Sequence, residues 1–351
     1  MKYSSIQINN FRSIADLHIE NFKEINLITG INNSGKTTLL EALFLISGMS
    51  NPQLPVAINN FRDFLLASDD DFNLIFHNFD FKQKLCLNAV VDNRKRGLKI
   101  EPRYTHLNMN LNGMNKINLS AEKKDITSTG VSSAVDGLVL NFKEGDTSDF
   151  FRSEISISNG GIGVADIRYK EKLRCTFHNV QYSMSMLPSR IERILVNNEQ
   201  GGIIEALKEI DNKITAIQAF PSGVIYVNAG FKKLVPINVM GDGIRRILSI
   251  LASISDMQDG VLLIDEIENG LHYSSLKTLW KAVLKAAAVY NVQLFITTHS
   301  YECIAALSDA VNQDSDNIRL YRLEKQSDRH RAFEYTPNMI SVGVEENIEM
   351  R

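Results

Sequence analysis

The sequence predicts an α/β protein with a mixed sheet, an antiparallel β subdomain and a helical insertion. Three observations support this fold class. An apolar strand near residue 25 leads through a glycine-rich loop into a helix. Residues 261–298 alternate apolar strands with a helix, which is typical of a parallel sheet. Residues 85–178 carry short strands with period-two patterning, which is typical of an antiparallel meander.

The glycine-rich loop has the pattern Gly-x4-Gly-Lys-Thr between Gly30 and Thr37. Such a loop wraps a phosphate chain with its backbone N–H groups, and the helix start adds a positive dipole end. We expect Lys36 to reach the β- and γ-phosphates and to act in catalysis, and the Thr37 hydroxyl to bind Mg²⁺. The residues assigned to the nucleotide here are Asn32, Asn33, Ser34, Gly35, Lys36, Thr37 and Thr38.

The first half of the chain is predicted to be mainly strands. A helix from Lys36 to Ser47 ends at Gly48, and a short helix is expected near Phe61–Ala67. Asp92 to Gly97 reads as a turn, and residues 120–135 read as a loop. The predicted strands are 3–9, 17–19, 25–29, 85–91, 107–111, 136–142, 153–158, 163–168 and 172–178.

The second half alternates helices and strands. Apolar residues from Ile203 to Ile217 recur at helical spacing and predict an amphipathic helix of about four turns. Further helices are expected from Gly243 and over 274–289. The predicted strands are 224–227, 234–239, 261–264 and 293–298.

Two acids follow the apolar strand 261–264. The carboxyl end of a buried parallel strand lies at the sheet edge where ligands bind. We expect Asp265 to hold Mg²⁺, directly or through water, and Glu266 to act as the general base that polarises the attacking water. The alternative is a pair of solvated charges that cap a strand. The phosphate loop upstream favours the metal and base assignment.

The next strand, 293–298, ends in Thr298 and His299. An imidazole at this edge lies beside the γ-phosphate, where it can stabilise the charge that is transferred, so we assign His299 to catalysis. The alternative is a structural histidine.

A second Gly-x-Gly turn, formed by Gly241, Asp242 and Gly243, opens a helix and predicts a second phosphate-binding helix start. Arg245 or Arg246 is a candidate for a charge-stabilising arginine, and the sequence does not choose between them.

Composition narrows the choice of partners. The net charge of −3 indicates that any nucleic-acid contact depends on a local patch, so direct DNA binding stays open. The Arg94–Arg96 run with Lys99 is one such patch, although a solvated turn explains it more simply. The three cysteines are far apart, and no apolar run approaches the ~18 residues of a membrane span. We therefore expect a cytoplasmic protein without a membrane partner.

The order of these motifs resembles the ABC-type P-loop NTPase heads of the SMC and RecF group. It is nearest to the stand-alone AAA-labelled ATPases related to the OLD family. The segments that carry the resemblance are Asn10-Phe11-Arg12-Ser13, Gly30–Thr38, Gly241–Arg246, Ile264–His272 and Thr298-His299-Ser300. A full Leu-Ser-Gly-Gly-Gln signature and a confident Q-loop glutamine are absent, and about fifty residues after His299 are too few for a Toprim domain.

The resemblance implies a homodimer, or a higher oligomer, that closes head to tail over ATP and Mg²⁺. Gly241, Asp242 and Gly243 of one protomer would meet the γ-phosphate on the P-loop of the other. Arg12 would lie near the nucleotide, and His272 near the nucleotide or the interface. We expect an ATPase core in residues 1–80 and 218–351, and a β-rich and helical insertion in 81–217.

The expected function is an ATP-driven conformational switch in DNA metabolism or anti-phage defence, working with a separate effector such as a nuclease. One alternative is a slow regulatory scaffold that assembles with or restrains an effector nuclease or toxin. Another is a self-contained hydrolase that acts on something else, such as a nuclease. The sequence shows no acidic cluster beyond Asp265–Glu266 to support the nuclease alternative.

Overall fold

The predicted phosphate loop emerges from a six-stranded mixed sheet. The computed structural model describes all residues except 63, 65–68, 107–132, 146–149, 159–160, 165–168, 179, 221 and 327–328. Five strands are parallel, and the edge strand β16 runs antiparallel to β15. In spatial order the strands are β16 (Arg329–Tyr335), β15 (Ile318–Gln326), β3 (Ile25–Thr29), β14 (Gln293–Thr297), β13 (Val261–Ile264) and β9 (Cys175–His178).

Every residue of β3, β13 and β14 is buried, as expected for strands that are covered on both faces. Alternate residues belong to two different hydrophobic clusters. Leu262 and Leu294 pack with the later helices, whereas Leu263 and Phe295 pack with the first helix and the second sheet. The sheet therefore lies between two cores, and the carboxyl ends of its central strands form one edge.

A seven-stranded antiparallel sheet forms the second layer. Residues Asp92 and Asn93, with φ of 45° and 63°, make the two-residue turn between its third and fourth strands. The predicted turn from Asp92 to Gly97 was too long, because Arg94 already pairs with Val91. In spatial order the strands are β2 (Ile14–Ile19), β1 (Tyr3–Phe11), β4 (Leu85–Val91), β5 (Arg94–His106), β6 (Ser133–Glu144), β7 (Phe151–Ser158) and β8 (Gly161–Val164).

The helices surround the six-stranded sheet. A third sheet consists of β10 (Ala216–Ala219), β11 (Ile225–Asn228) and β12 (Val235–Pro236). The helices are α1 (Lys36–Ser47), α2 (Leu54–Asn60), α3 (Val180–Ser185), α4 (Leu187–Val196), α5 (Gly201–Leu207), α6 (Asp242–Asp256), α7 (Leu276–Tyr290), α8 (Tyr301–Ala310) and α9 (Pro337–Glu345). Short 3₁₀ turns cover Asp69–Ile75, His77–Phe79, Ile237–Val239 and Tyr273–Ser275.

The fold class is confirmed: a mixed sheet, an antiparallel β subdomain and inserted helices are all present. A short helix, α2, ends before Phe61 and has Pro55 in its first turn, and most of the predicted helix near Phe61–Ala67 lies outside the described residues. Two local predictions were wrong. The helix predicted over Ile203–Ile217 is shorter, since it begins at Gly201 and ends at Leu207. Ile214 and Ile217 are buried, but they lie in a turn and in strand β10. Strand β12 covers two residues, and a 3₁₀ turn replaces the rest of 234–239.

The last strand of the predicted meander belongs to the other sheet. Strand β9 pairs in parallel with β13, so a segment of the predicted insertion 81–217 completes the six-stranded sheet. The predicted strand 107–111 and residues 120–132 of the predicted loop lie outside the described residues, and Ser133 already starts β6. The domain limits stay a prediction. Within the described residues, no helix is long and apolar enough to cross a membrane.

Candidate functional site

The loop between β3 and α1 has a backbone that only glycine allows at its two ends. Gly30 has φ of 140°, and a Cβ there would lie 2.5 Å from the Leu323 carbonyl oxygen. Gly35 has φ of 95° and occupies the N-cap of α1. Because side chains are excluded at both positions, the loop can turn tightly and leave the N–H groups at the helix start open to a ligand.

Lys36 spans this loop. Its Nζ donates to the Gly30 carbonyl oxygen at 2.7 Å and to the Ile31 carbonyl oxygen at 3.1 Å. Burial lowers the pKa of Lys36, and the charges of Asp265 and Glu266 oppose that shift. The cation therefore lies at the mouth of the loop, where a phosphate chain can replace its carbonyl partners.

Asp265 lies directly after β13, between two threonine hydroxyls. The Thr37 Oγ1 hydroxyl donates to Oδ2 at 3.0 Å, and the buried Thr297 hydroxyl donates to Oδ1 at 2.5 Å. A separation near 3 Å suits two oxygen ligands on one Mg²⁺ that binds oxygens at about 2.0–2.1 Å. Mg²⁺ keeps several waters and needs few protein ligands, so the oxygens of Thr37 and Asp265 fit a magnesium site.

Glu266 occupies the left-handed region with φ of 50°, an uncommon conformation for a non-glycine residue. Its backbone N–H donates to the Thr297 hydroxyl at 2.8 Å. The Nδ1 atom of His299 lies 3.6 Å from Glu266 Oε1 and 3.5 Å from Glu268 Oε1. The side chains of Glu266 and His299 are about half exposed, so water and ligand can reach both.

A cavity of about 720 Å³ opens over Lys36, Thr37, Asp265 and Glu266, whereas His299 is not among the residues that line it. Four phenylalanines at 61, 64, 76 and 79 form an apolar wall beside the phosphate loop, and Lys325 lies on the opposite strand β15. The predicted site residues that line the cavity are Arg12, Asn32, Asn33, Gly35, Lys36, Thr37, Thr38, Asp265 and Glu266. Ser34 is buried behind the loop.

Arg12 reaches the cavity wall through a buried ion pair. Its Nε lies 2.9 Å from Glu41 Oε2, while Arg62 Nε donates to the other oxygen at 2.7 Å. Burial lowers the pKa of Arg12 to about 10, although Glu41 opposes the shift. Burial also raises the pKa of Glu41, against the effect of both arginines. One carboxylate on α1 thus holds two guanidinium groups beside the phosphate loop.

The Gly241–Gly243 turn does not line this cavity. Gly241 has φ of 99° and precedes α6, and Asp242 is fully solvated apart from a 3.6 Å ion pair with Arg245. Arg246 instead packs against Gly270, where a Cβ would lie 1.7 Å from its Nη1 atom. The Nδ1 atom of His272 is 2.8 Å from the Ser274 hydroxyl at the start of the next 3₁₀ turn.

Sequence reasoning missed five residues that the fold brings to the site, and it misread one other. Thr297 and Glu268 lie beside the two predicted acids. The residues next to them in the sequence do not indicate that these strand ends contact each other. Arg96, assigned to a solvated basic turn, is wholly buried and donates to Glu144 and Glu171. The remaining missed residues are Glu41, Arg62 and Lys325.

Comparison with known proteins decides the family. The family model described as "AAA domain, putative AbiEii toxin, Type IV TA system" matches residues 50–305, more than half of the chain. The chain belongs to this AAA-domain family. The AAA-domain chain is also 27% identical over 361 residues to a Helicobacter pylori protein named ATP/GTP phosphatase, with 93% of each chain covered.

Two further similarities are more limited. One covers a short part of this AAA-domain protein, and the other concerns its fold alone. A DNA replication and repair protein RecF from Clostridioides difficile is 40% identical over 47 residues, which is 13% of each chain. The SMC head domain from Thermotoga maritima superposes with a TM-score of 0.50 at 10% identity, over 95% of this chain and 99% of that one. The AAA-domain protein is thus an ATPase with the fold of an ABC-type head.

Proposed function

We propose that this ATPase hydrolyses Mg-ATP at a site shared by two copies of the chain and that hydrolysis drives a conformational switch. One observation carries the proposal. Two oxygen ligands for Mg²⁺, on Thr37 and Asp265, stand beside a half-exposed carboxylate, Glu266, at the mouth of a glycine-framed loop. This arrangement suits in-line attack of water on a terminal phosphate.

Each residue has a separate task in the proposed reaction. The backbone N–H groups from Asn32 to Thr38 and the ammonium of Lys36 hold the phosphate chain. Glu266 accepts a proton from the attacking water, and His299 donates a hydrogen bond to the terminal phosphate. Mg²⁺ held by the Thr37 hydroxyl and Asp265 would supply positive charge beside the phosphate chain.

The second half of the site comes from another protomer in this proposal. The Gly241–Gly243 turn leaves the start of α6 exposed and lies outside its own nucleotide cavity. A free helix start favours an anion, so it can bind the γ-phosphate on the P-loop of a second copy. ATP then acts as the bridge between the two protomers, and its hydrolysis releases them.

The variant Glu266→Gln tests this mechanism. Removing the base should lower kcat by about 10²- to 10⁴-fold while ATP still binds. Because ATP then persists, the variant should elute as a dimer in size-exclusion chromatography with Mg-ATP and as a monomer without nucleotide. A monomer under both conditions would contradict the shared site. GTP belongs in the same assay, since the Helicobacter pylori relative is named for both nucleotides.

The setting that we propose is DNA metabolism or defence with a separate effector protein. The family description names a toxin system, and partial relatives are DNA replication and repair proteins. The alternative is a slow scaffold that assembles with or restrains an effector nuclease or toxin without acting on DNA. Turnover measured with and without duplex DNA separates the two, because only a DNA-linked ATPase should accelerate. Co-purification of a protein that depends on ATP would support the scaffold.

A further inference from the structure

We propose that Glu268 is a positioning residue for His299, an inference that rests on the proposed function of that histidine. Glu268 lies two residues beyond Glu266, in the turn after β13. Its Oε1 atom accepts the backbone N–H of His299 at 3.1 Å, and the same oxygen lies 3.5 Å from His299 Nδ1. One carboxylate oxygen thus contacts both the backbone and the ring of the histidine.

The two glutamates beside the ring differ in exposure. The Glu268 side chain is 10% exposed, whereas that of Glu266 is 45% exposed. The second oxygen of Glu268, Oε2, is buried and has no hydrogen-bond partner among the described residues. Glu268 therefore lies against the histidine inside the protein, whereas Glu266 is accessible to a water molecule.

The contacts define the orientation of the ring. Nδ1 lies 3.5 Å from Glu268 Oε1 and 3.6 Å from Glu266 Oε1, and because carboxylate oxygens accept hydrogen bonds, this environment favours a proton on Nδ1. Nε2 then lies on the free edge of the ring, and a ring that carries a proton on both nitrogens can donate Nε2–H to the terminal phosphate. Glu268 thereby fixes the ring orientation in which Nε2 can meet the terminal phosphate, as an outer carboxylate does for a metal-binding histidine.

Steady-state kinetics of five variants test this assignment. Glu268→Ala should lower kcat about tenfold or more, with the KM for ATP changed less than about twofold. Glu268→Gln keeps an acceptor at the same position and should recover most of the lost activity. In the His299→Ala background, Glu268→Ala should cause no further loss, because the ring that it positions is gone. Glu302→Gln removes a neighbouring acid that contacts Ser300 rather than His299 and should behave as wild type.

The outcomes separate this inference from the proposed function. If His299→Ala lowers kcat while Glu268→Ala leaves kcat unchanged, the positioning role of Glu268 is overturned and the proposed role of His299 stands. The positioning role is also overturned if the double variant shows the product of the two separate losses in kcat, because the two residues would then act independently. An unchanged kcat in His299→Ala removes the proposed role of the histidine, and the positioning role with it. If Glu268→Ala does not fold, ¹⁵N NMR of the His299 ring in the wild-type protein decides, because an Nδ1 atom without a proton contradicts the contact with Glu268.

Discussion

Thr297 shows how a single hydroxyl can organise two groups that are proposed to act in hydrolysis. It is fully buried at the end of β14, donates to Asp265 and accepts the backbone N–H of Glu266. Both acids follow a different strand, β13, and Glu266 has the strained φ of 50°. The hydroxyl thus fixes the carboxylate proposed for the metal and supports the unusual backbone of the proposed base.

Replacing Thr297 with valine should lower stability and turnover without changing the affinity for nucleotide. Valine keeps the shape but leaves a buried N–H without an acceptor, so the free energy of unfolding should fall by about 1–3 kcal/mol. Turnover should fall while nucleotide affinity without Mg²⁺ stays near wild type, as measured by ATPase kinetics and calorimetry. Thr297→Ser keeps the hydroxyl and serves as the control. A valine variant with full activity would show that the hydroxyl is only structural.

Lys36 offers a prediction about binding rather than turnover. Removing its ammonium costs a charge-assisted contact with the phosphates, so Lys36→Ala should weaken ATP affinity by about 100-fold, equivalent to about 2.7 kcal/mol. Fluorescent-nucleotide titration measures this change. Lys281→Ala, which removes an exposed lysine on α7, should bind normally. Equal affinity in both variants would exclude the lysine from the phosphate site.

At the scale of elements, helix α1 joins the phosphate loop to the antiparallel sheet. Arg96 of β5 is wholly buried and donates to the Ile46 and Ser47 carbonyl oxygens at the end of the helix. The same guanidinium pairs with Glu144 at 3.1 Å and Glu171 at 2.5 Å. A cation at a helix C-terminus opposes the negative end of the dipole, so this link steadies both elements.

Arg96→Ala should therefore be strongly destabilising. It removes the wholly buried cation from the carboxylates of Glu144 and Glu171 and from the carbonyl oxygens at the end of α1, and breaking such a buried pair costs about 3–5 kcal/mol. Chemical denaturation followed by circular dichroism measures the loss. Arg94→Ala, two residues away on the exposed end of β5, should change stability by less than about 0.5 kcal/mol. Similar values for the two variants would show that the buried link carries little energy.

A buried histidine on the edge strand β9 makes the stability of the fold depend on pH. Burial, together with the charges of Arg190 and Arg246, lowers the pKa of His178 to about 3. Its unfolded-state pKa is near 6.5, so the unfolded chain binds an extra proton between these values and stability falls as pH decreases from 6.5. Between pH 6.5 and 5 the loss should approach about 2 kcal/mol. His178→Gln should remove most of this pH dependence, which denaturation at both pH values would measure.

The elements that sequence reasoning predicted are those with a strong local signal. The loop from Gly30, helix α1 and strands β13 and β14 have clear periodicity or motifs, and their positions agree with the structure. The helix from Gly201 was overextended because buried residues in a turn mimic helical spacing. Strand β9 was assigned to the wrong sheet, because pairing between residues 175–178 and 261–264 leaves no trace in either segment alone.

The candidate site shows the same limit. Lys36, Thr37, Asp265 and Glu266 follow recognisable patterns and meet at one cavity. Arg62 reaches the cavity only because Glu41, on the buried face of α1, holds it there. Thr297 and Glu268 depend on contacts between neighbouring strand ends, and single-sequence periodicity does not report such contacts.

For the whole molecule, the decisive question is whether two chains share each site. Lys36→Ala damages the P-loop, and Gly243→Asp places a negative charge at the exposed start of α6. Among the residues that the structure describes, a Cβ at Gly243 would meet only Leu271, at 3.6 Å, so the fold should tolerate that change. Each variant alone should be inactive. Mixing them should restore turnover, because a heterodimer pairs one intact P-loop with one intact helix start. No recovery on mixing would favour a site within one chain.

The position of β3 in its sheet also bears on how the protein is made. Residues 25–29 have neighbours at 293–297 on one side and 318–322 on the other. During synthesis on the ribosome, the strand that carries the P-loop cannot pair until strands nearly three hundred residues later in the chain have been made. Such distant pairing is slow and leaves apolar strands exposed to chaperones or aggregation. Nascent chains arrested before residue 293 should therefore fail to bind nucleotide, because neither strand that pairs with the P-loop strand has yet been made.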